Sequence, residues 1–75
     1  MIELDARRLM CPMPVIRTQD LIKTLASGAN VRVTCTDPGV MHDIPAWCRI
    51  NGHLLLAAEE IEGEFVLTIQ VGAMA

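Results

Sequence analysis

Stretches of alternating or mainly apolar residues predict four β-strands. Apolar and polar residues alternate over residues 1–5, and the alternation is strict over residues 31–36. Residues 53–62 and residues 65–71 predict two further strands, joined by the short connection Glu62-Gly63-Glu64. A connection of this length between two strands predicts an antiparallel hairpin.

Between the first two strands, the hydrophobic period changes to that of a helix, which we predict over residues 12–27. One face of this helix carries mainly apolar side chains: Val15, Thr18, Leu21, Ile22, Leu25 and Ala26. Gly28 follows the last residue of this pattern, and a glycine is a frequent C-terminal stop for a helix.

A second helix is predicted between Asp37 and Gly52. Asp37 followed by Pro38 has the form of an N-cap and a first helical residue. Residues at helical spacing follow: Val40, Ile44, Trp47 and Asn51. Pro45 lies inside this pattern, so the helix is either bent there or begins late, with Asp43 as its cap.

The predicted order of elements is therefore β-α-β-α-β-β. Two helices are enough to cover one face of a four-stranded sheet. The economical packing is an α/β fold, a two-layer α/β sandwich with a mixed sheet and both helices on one face. The chain has 75 residues and no internal repeat or linker, so we expect one domain over residues 1–75.

The composition argues against nucleic acid and membranes as direct partners. Six Lys and Arg residues against nine Asp and Glu residues give a net charge of −3, which disfavours binding to a phosphate backbone. Trp47 and Phe65 are the only aromatic residues, so there is no stacking platform for bases. No apolar run approaches the roughly 20 residues of a membrane span.

The amino terminus and the cysteine content predict a cytoplasmic protein with reduced thiols. Glu3 is one of four charged residues within the first ten positions, a pattern unlike a signal peptide. The chain has three cysteines, and an odd number without an export signal argues against a disulfide framework.

Cys11 stands between the first strand and the first helix, with Pro12 and Pro14 close behind it. The N-terminus of a helix carries unsatisfied N–H groups and partial positive charge, which favour a thiolate. Arg7 and Arg8 would add positive potential. These features predict a reactive thiol, whereas the alternative is that Cys11 is a small buried hydrophobic residue.

Met13 and Ile16 fall outside the core face of the predicted first helix, beside Cys11. Exposed apolar side chains next to a candidate thiol indicate a docking surface for a partner protein. The alternative is that they cover the sheet edge or a loop.

The other cysteines and the histidines are weaker candidates. Cys35 shares a strand face with two valines and is expected in the core. Cys48 lies at the margin of the second helix's buried face, so it is either a packing residue or a possible second thiol. The sequence contains no C-x-x-C or H-x-x-x-H pair. We therefore expect no metal site and no dithiol redox motif. No spacing assigns His42 or His53 as a base for Cys11.

Three segments, "LDARRLMCPMP", "TDPGVMHDIPAWC" and "NGHLLL", together resemble the TusA-like sulfur carrier family, also called the SirA-like family. The family pattern is L-D-x-x-G-L-x followed by C-P-x-P, then a D-P segment and a G-H before the third strand. The resemblance extends over nearly the whole chain. It implies the same β-α-β-α-β-β sandwich.

The resemblance also implies that Cys11 carries sulfane sulfur as a persulfide, and we expect Asp5, Arg7, Pro12 and Pro14 to support it. A cysteine desulfurase or a rhodanese-like protein would supply the sulfur, and a cysteine of the next protein in the relay would accept it. Family members serve transfer RNA thiolation or sulfur trafficking in sulfur-oxidising cells. No cofactor is implied.

The sequence departs from the family pattern at Arg8, which stands where the pattern has glycine. Arg8 therefore adopts a positive φ at some cost, or the turn differs. The segment around Cys48 is more similar to the sulfur-oxidation branch of the family.

Two other classes of function remain. One is an interaction module that binds partners through the apolar surface of Met13 and Ile16. The other is a thiol-redox or metal protein that uses Cys11 with Cys48.

Overall fold

A computed structural model of the chain describes residues 1–72 and contains four strands and two helices in the predicted order. The elements are β1 (Ile2–Ala6), α1 (Met13–Ile22), β2 (Asn30–Cys35), α2 (Val40–Asn51), β3 (Leu54–Ile61) and β4 (Glu64–Gln70). Residues 73–75 of the predicted domain lie outside the described residues. Neither helix of residues 1–72 has the length and apolar character that crossing a membrane requires.

The four strands form one mixed sheet with the order β1-β2-β4-β3. β1 and β2 are parallel neighbours, while β4 is antiparallel to both β2 and β3. β4 therefore lies between two strands that run in the same direction. The parallel pairing brings the carboxyl ends of β1 and β2 to the same edge of the sheet.

One face of the sheet carries the hydrophobic core. Val31 and Ile69, paired across β2 and β4, are both fully buried. The helices contribute a second row of buried side chains: Pro14, Thr18, Ile22, Val40, Ile44 and Cys48. On the opposite face, Arg32 forms an exposed ion pair with Glu3 of the neighbouring strand. The predicted two-layer α/β sandwich with both helices on one face is confirmed.

α1 ends earlier than predicted, at Ile22 instead of residue 27. Beyond it, the Thr24 N–H donates to the Leu21 carbonyl at 3.0 Å, and the Thr24 hydroxyl donates to the same oxygen at 2.7 Å. A side chain that bonds to the backbone in this way competes with the helical hydrogen bonds. Ala26, predicted on the core face, is consequently exposed.

α2 begins at Val40 and continues through Pro45 to Asn51. The alternative of a late start with Asp43 as the cap was therefore wrong. The predicted stop is confirmed, because Gly52 caps the helix in the left-handed conformation with φ 77°.

The buried face of α2 is formed by Val40, Ile44 and Cys48, each four residues after the last. Trp47 is only partly buried and Asn51 is exposed, although the sequence pattern placed both on the buried face. Compared with the predicted face, the buried face of α2 is rotated so that it includes Cys48, whose side chain is 1% exposed. Of the two alternatives for Cys48, this burial agrees with a packing residue.

A two-residue turn, Glu62-Gly63, joins β3 to β4. Both residues have positive φ, 51° and 81°. Positive φ at both central positions is the signature of the type I′ turn that matches the twist of a hairpin. The turn is one residue shorter than the predicted connection, because Glu64 already pairs with Ile61.

Candidate functional site

Cys11 lies at the edge of the sheet where the parallel strands β1 and β2 end. The loop after β1 carries Cys11, and the loop after β2 carries Asp37. Because neighbouring parallel strands end at one edge, the two loops meet there, and the Cys11 N–H donates to Asp37 Oδ2 at 2.8 Å. The Cys11 side chain is half-buried, and its peptide bond to Pro12 is cis.

The Asp37 carboxylate ties the two loops together. Besides the bond from Cys11, its Oδ1 accepts the Gly39 N–H at 2.9 Å. Two backbone donors stabilise the ionised form, and they hold the pKa of Asp37 below its ordinary value. A fixed negative charge therefore lies next to the thiol.

Gly39 allows the start of α2 to approach Cys11 closely. A Cβ atom at this position would lie 3.1 Å from Cys11 Sγ and 3.3 Å from Asp37 Oδ1. Both distances are shorter than ordinary van der Waals contacts, so any larger residue here would push against the thiol and its neighbouring carboxylate.

The surroundings of Cys11 favour the protonated thiol. The Asp43 carboxylate, the partial burial of the thiol and the charge of Asp37 together raise the pKa of Cys11 to about 12. The sequence predicted the opposite direction, a thiolate stabilised by the start of α1. That prediction was wrong.

The backbone explains why the start of α1 does not stabilise a thiolate. Pro12 and Pro14 have no N–H group. The Met13 N–H donates to the Met10 carbonyl at 2.9 Å. Among the donors that normally make a helix N-terminus attractive to an anion, those of residues 12 and 14 are therefore missing and that of Met13 is engaged.

Arg7 forms ion pairs with two carboxylates. Its Nε donates to Glu64 Oε2 at 2.8 Å, and its guanidinium lies 3.4 Å from Asp5 Oδ2. Asp5 Oδ1 also accepts the Arg7 N–H at 3.0 Å. Asp5 and Arg7 thus connect the loop after β1 to the beginning of β4, and the positive charge of Arg7 is matched by carboxylates.

Arg8 has φ 66°, in the left-handed region where glycine is favoured. Its N–H donates to Thr36 Oγ1 at 2.9 Å, which joins the loop after β1 to the loop after β2. The first alternative for Arg8, a positive φ at some steric cost, is therefore observed.

Apolar side chains near Cys11 in the chain are exposed. The exposed fractions are 77% for Met10, 37% for Met13 and 41% for Ile16. Met10 also lines a shallow depression of about 300 Å³, together with Arg8 and Asp37. The predicted exposure of Met13 and Ile16 is therefore observed.

The other two cysteines are enclosed in the core. Cys35 is fully buried and Cys48 is 1% exposed. Burial raises the pKa of each thiol to about 11, so both are protonated at neutral pH. All three cysteines are unpaired.

Neither histidine is among the groups that shift the pKa of Cys11. His53 is buried, stacks on Trp47 at 4.9 Å and accepts the Gly72 N–H on Nδ1 at 3.1 Å. It lines a cleft of about 700 Å³ between the C-terminal ends of the two helices. His42 is exposed. Within residues 1–72, no three His, Cys, Asp or Glu side chains are grouped to hold a metal ion.

The sequence pattern did not identify Asp37, Gly39 and Asp43 as neighbours of Cys11. The sequence pattern indicates Asp37 and Asp43 only as helix caps and assigns no role to Gly39. Polar residues that follow two neighbouring parallel strands meet at one edge of the sheet, and this rule places Asp37 near Cys11. The rule applies only once it is known that β1 pairs with β2.

Comparisons with known proteins agree with the fold and the motif. The family model described as "Sulfurtransferase TusA" matches residues 2–71. A putative sulfur carrier protein of Neisseria meningitidis serogroup A is 39% identical over 67 residues, covering 89% of this chain and 90% of that protein. Sulfur carrier protein TusA of Pseudomonas putida is 40% identical over 67 residues, covering 89% and 84%. A crystal structure of a SirA-like protein from Desulfitobacterium hafniense aligns with a TM-score of 0.84 and 27% identity, over 96% of this chain and 99% of that one.

Proposed function

Because the chain belongs to the sulfurtransferase TusA family, we propose that it is a sulfur carrier that holds sulfane sulfur as a persulfide on Cys11. The observation that carries the proposal is the position of Cys11. Of the three thiols, it alone is not fully enclosed, and exposed Met13 and Ile16 follow it.

The proposed reaction is an exchange between a thiol and a persulfide. The Cys11 sulfur attacks the outer sulfur of the donor persulfide, and the donor's S–S bond breaks. The donor leaves as a thiolate and takes up the proton that Cys11 loses. Donor–S–SH and Cys11–SH thus become donor–SH and Cys11–S–SH, and no oxidant or cofactor is consumed.

Discharge of the carrier follows the same steps in reverse. A cysteine thiolate of the acceptor attacks the outer sulfur of the Cys11 persulfide, and Cys11 leaves and is protonated again. The raised pKa of Cys11 favours this final protonation. In this proposal, Pro12 and Pro14 hold the backbone next to the reacting sulfur, and the pairing of Asp5 with Arg7 holds the loop before it.

We propose that Met13 and Ile16 form the docking surface for both partners. A relay needs a small apolar surface that binds briefly, because a carrier must dissociate after each transfer. A cysteine desulfurase or a rhodanese-like protein is the proposed donor. A cysteine of a protein in transfer RNA thiolation or in sulfur oxidation is the proposed acceptor. The unpaired cysteines fit a reducing compartment, so we propose the cytoplasm as its location.

Mass spectrometry after incubation with sodium polysulfide, or with a cysteine desulfurase and cysteine, tests the assignment of Cys11. We expect an adduct of about 32 Da, the mass of one sulfur atom, on Cys11. Cys11→Ser should acquire none, while Cys35→Ala and Cys48→Ala should load normally. Wild-type loading of Cys11→Ser would refute the carrier role of Cys11.

The same experiment separates the alternative functions. An interaction module would acquire no sulfur in any variant. A redox protein would form a disulfide between Cys11 and Cys48 instead. The burial of Cys48 counts against this disulfide.

The docking proposal is tested by the transfer rate from a sulfur-loaded desulfurase to the carrier. Ile16→Ser should slow transfer several-fold, because it removes apolar area from the proposed surface. Ile50→Ser is the matched control. Ile50 is also a helical isoleucine and is 83% exposed, but it lines the cleft between the C-terminal ends of the two helices. Equal effects of the two variants would contradict the docking surface.

A further inference from the structure

The cleft between the C-terminal ends of the two helices has no part in the proposed sulfur transfer. Its volume of about 700 Å³ is within the range of about 300–1,000 Å³ that is typical of small-molecule sites. Cys11 precedes the other end of α1, a helix of ten residues that is about 15 Å long. The cleft is therefore a separate site.

The imidazole of His53 forms part of the cleft wall and has an unused donor. His53 is 7% exposed, and its Nδ1 accepts the Gly72 N–H at 3.1 Å, so the neutral ring carries its proton on Nε2. Burial lowers the pKa of His53, which keeps the ring neutral at pH 7. Within residues 1–72, Nε2 takes part in no hydrogen bond, yet no enclosed side-chain nitrogen or oxygen lacks a partner. The Nε2–H group is therefore accessible from the cleft that His53 lines.

Hydrogen bonds fix the walls of the cleft. Trp47 Nε1 donates to Gln19 Oε1 at 3.3 Å and thereby joins α2 to α1. The Val71 N–H donates to the Ala29 carbonyl at 2.8 Å, and the Gly28 N–H donates to the Val71 carbonyl at 2.8 Å. A ligand would consequently enter a preformed site, which lowers the entropic cost of binding.

Lys23 and Arg49 give the cleft a positive charge. Among residues 1–72, neither side chain forms an ion pair, and no Asp or Glu lines the cleft. Cations near the C-terminus of a helix often serve only to offset the helix dipole. Here the Cys48 carbonyl at the end of α2 already accepts the N–H groups of Gly52 and His53. The two exposed cations are therefore available to a ligand.

We propose that this cleft binds a small organic anion, with a carboxylate, sulfonate or phosphate group on a planar apolar body. Lys23 and Arg49 attract the anionic group, and the His53 Nε2–H supplies a directional hydrogen bond to it. The planar body contacts the apolar side chains of the lining: Ile22, Leu25, Trp47, Ile50 and Val71. The site does not depend on the sulfur-carrier function proposed above.

Two fluorescent probes test the proposal without an identified ligand. 8-Anilinonaphthalene-1-sulfonate has an anionic group on an aromatic body, and N-phenyl-1-naphthylamine has nearly the same body without the charge. Trp47 is the only tryptophan and lines the cleft, so quenching of its fluorescence reports binding. We expect the anionic probe to bind at least about fivefold more tightly than the neutral probe.

Arg49→Glu should weaken binding of the anionic probe at least about fivefold and leave binding of the neutral probe nearly unchanged. The matched control is Arg17→Glu, which changes the net charge equally at an exposed position of α1 outside the cleft. It should leave the binding of both probes unchanged. Equal weakening by the two variants, or equal affinity of the wild type for the two probes, would overturn the proposal.

Nitrogen-15 NMR of the imidazoles tests the role of His53 without a mutation. The free protein should show the His53 tautomer with its proton on Nε2. Saturation with 8-anilinonaphthalene-1-sulfonate should shift the Nε2 resonance of His53, while the resonances of the exposed His42 stay in place. A His53 resonance that does not respond to the bound probe would refute the hydrogen bond.

A peptide of four glutamates distinguishes a small ligand from an acidic segment of a partner protein. We expect it to bind more weakly than the anionic probe, because it lacks the planar apolar body. Binding at least as tight would overturn the choice of a small ligand. Circular dichroism checks that Arg49→Glu is folded, and its Cys11 should acquire sulfur as the wild type does. Failure of the cleft proposal is thereby distinguished from failure of the carrier function.

Discussion

At the scale of single residues, Arg8 shows that a strained backbone conformation can place a hydrogen-bond donor where it is needed. Its φ of 66° is unfavourable for any residue with a Cβ atom. The same conformation directs its N–H to Thr36, which links the two loops beside Cys11. The backbone and not the side chain makes this link, so the link survives replacement by glycine.

Arg8→Gly should stabilise the protein by about 1 kcal/mol, because glycine adopts positive φ without steric cost. Urea unfolding measures the change. The matched control is Arg17→Gly within α1, where the same replacement should destabilise by about 1 kcal/mol because glycine disfavours a helix interior. A loss of stability in Arg8→Gly would show that the arginine side chain contributes more than the strain costs.

At the scale of elements, α2 has two separate tasks. Its first turn carries Asp43, whose carboxylate raises the pKa of the Cys11 thiol, while Ile44 and Cys48 belong to its buried face. The buried face therefore fixes where the first turn lies. Changes deep in this face should alter stability before they alter the chemistry at Cys11.

Cys48→Ala should destabilise the protein by about 1–2 kcal/mol, because it removes a buried sulfur and leaves a small cavity. Sulfur loading of Cys11 at a temperature where the variant is folded should equal that of the wild type. Urea unfolding and mass spectrometry measure the two effects. Impaired transfer in a folded Cys48→Ala variant would make Cys48 part of the mechanism.

The hairpin between β3 and β4 depends on Gly63, which has φ 81° in the type I′ turn. Gly63→Ala should cost about 1 kcal/mol of stability, because a Cβ atom is unfavourable at this φ even where space is open. Urea unfolding checks the value, and loading of Cys11 serves as the control. Undiminished stability would contradict the turn assignment.

At the scale of the whole molecule, titratable groups whose pKa values change on folding limit the stability of the protein on both sides of neutral pH. Burial lowers the pKa of His53, so the unfolded chain binds that proton first as the pH falls below about 6.5. The pKa values of Glu3 and Asp37 are also lowered, by the Arg32 hydrogen bond and by backbone hydrogen bonds. Their stabilisation is present above about pH 4 and is lost as the pH falls further.

On the alkaline side, the thiols act in the opposite direction. Folding raises the pKa of Cys11 to about 12 and those of Cys35 and Cys48 to about 11. The unfolded chain therefore ionises first as the pH rises above about 8.5, and stability is lost progressively towards pH 11–12.

Urea unfolding under reducing conditions should therefore give a stability maximum between about pH 6.5 and 8.5. His53→Gln should lose the dependence between pH 7.5 and 5.5, while His42→Gln, an exposed replacement on α2, should retain it. Cys35→Ala should show a weaker loss above pH 9. A stability that keeps rising from pH 8.5 to 10 would contradict the raised thiol pKa values.

The local pattern of the chain was sufficient for the order of elements, the type of sheet and the burial of Cys35. Each of these depends on interactions near in sequence or on the need to bury one apolar face. The position of Cys11 before a helix and the exposure of Met13 and Ile16 were predictable for the same reason. The C-P-x-P motif then pointed to the thiol itself.

The protonation of Cys11 was decided by tertiary structure alone. Its pKa depends on carboxylates that lie 26 and 32 positions further along the chain, and they reach it because β1 pairs with β2 and Gly39 permits close approach. The rotation of α2 towards Cys48 depends likewise on packing against the sheet. A sequence pattern records which residues are neighbours along an element, whereas electrostatic interactions act between whichever groups the fold brings together.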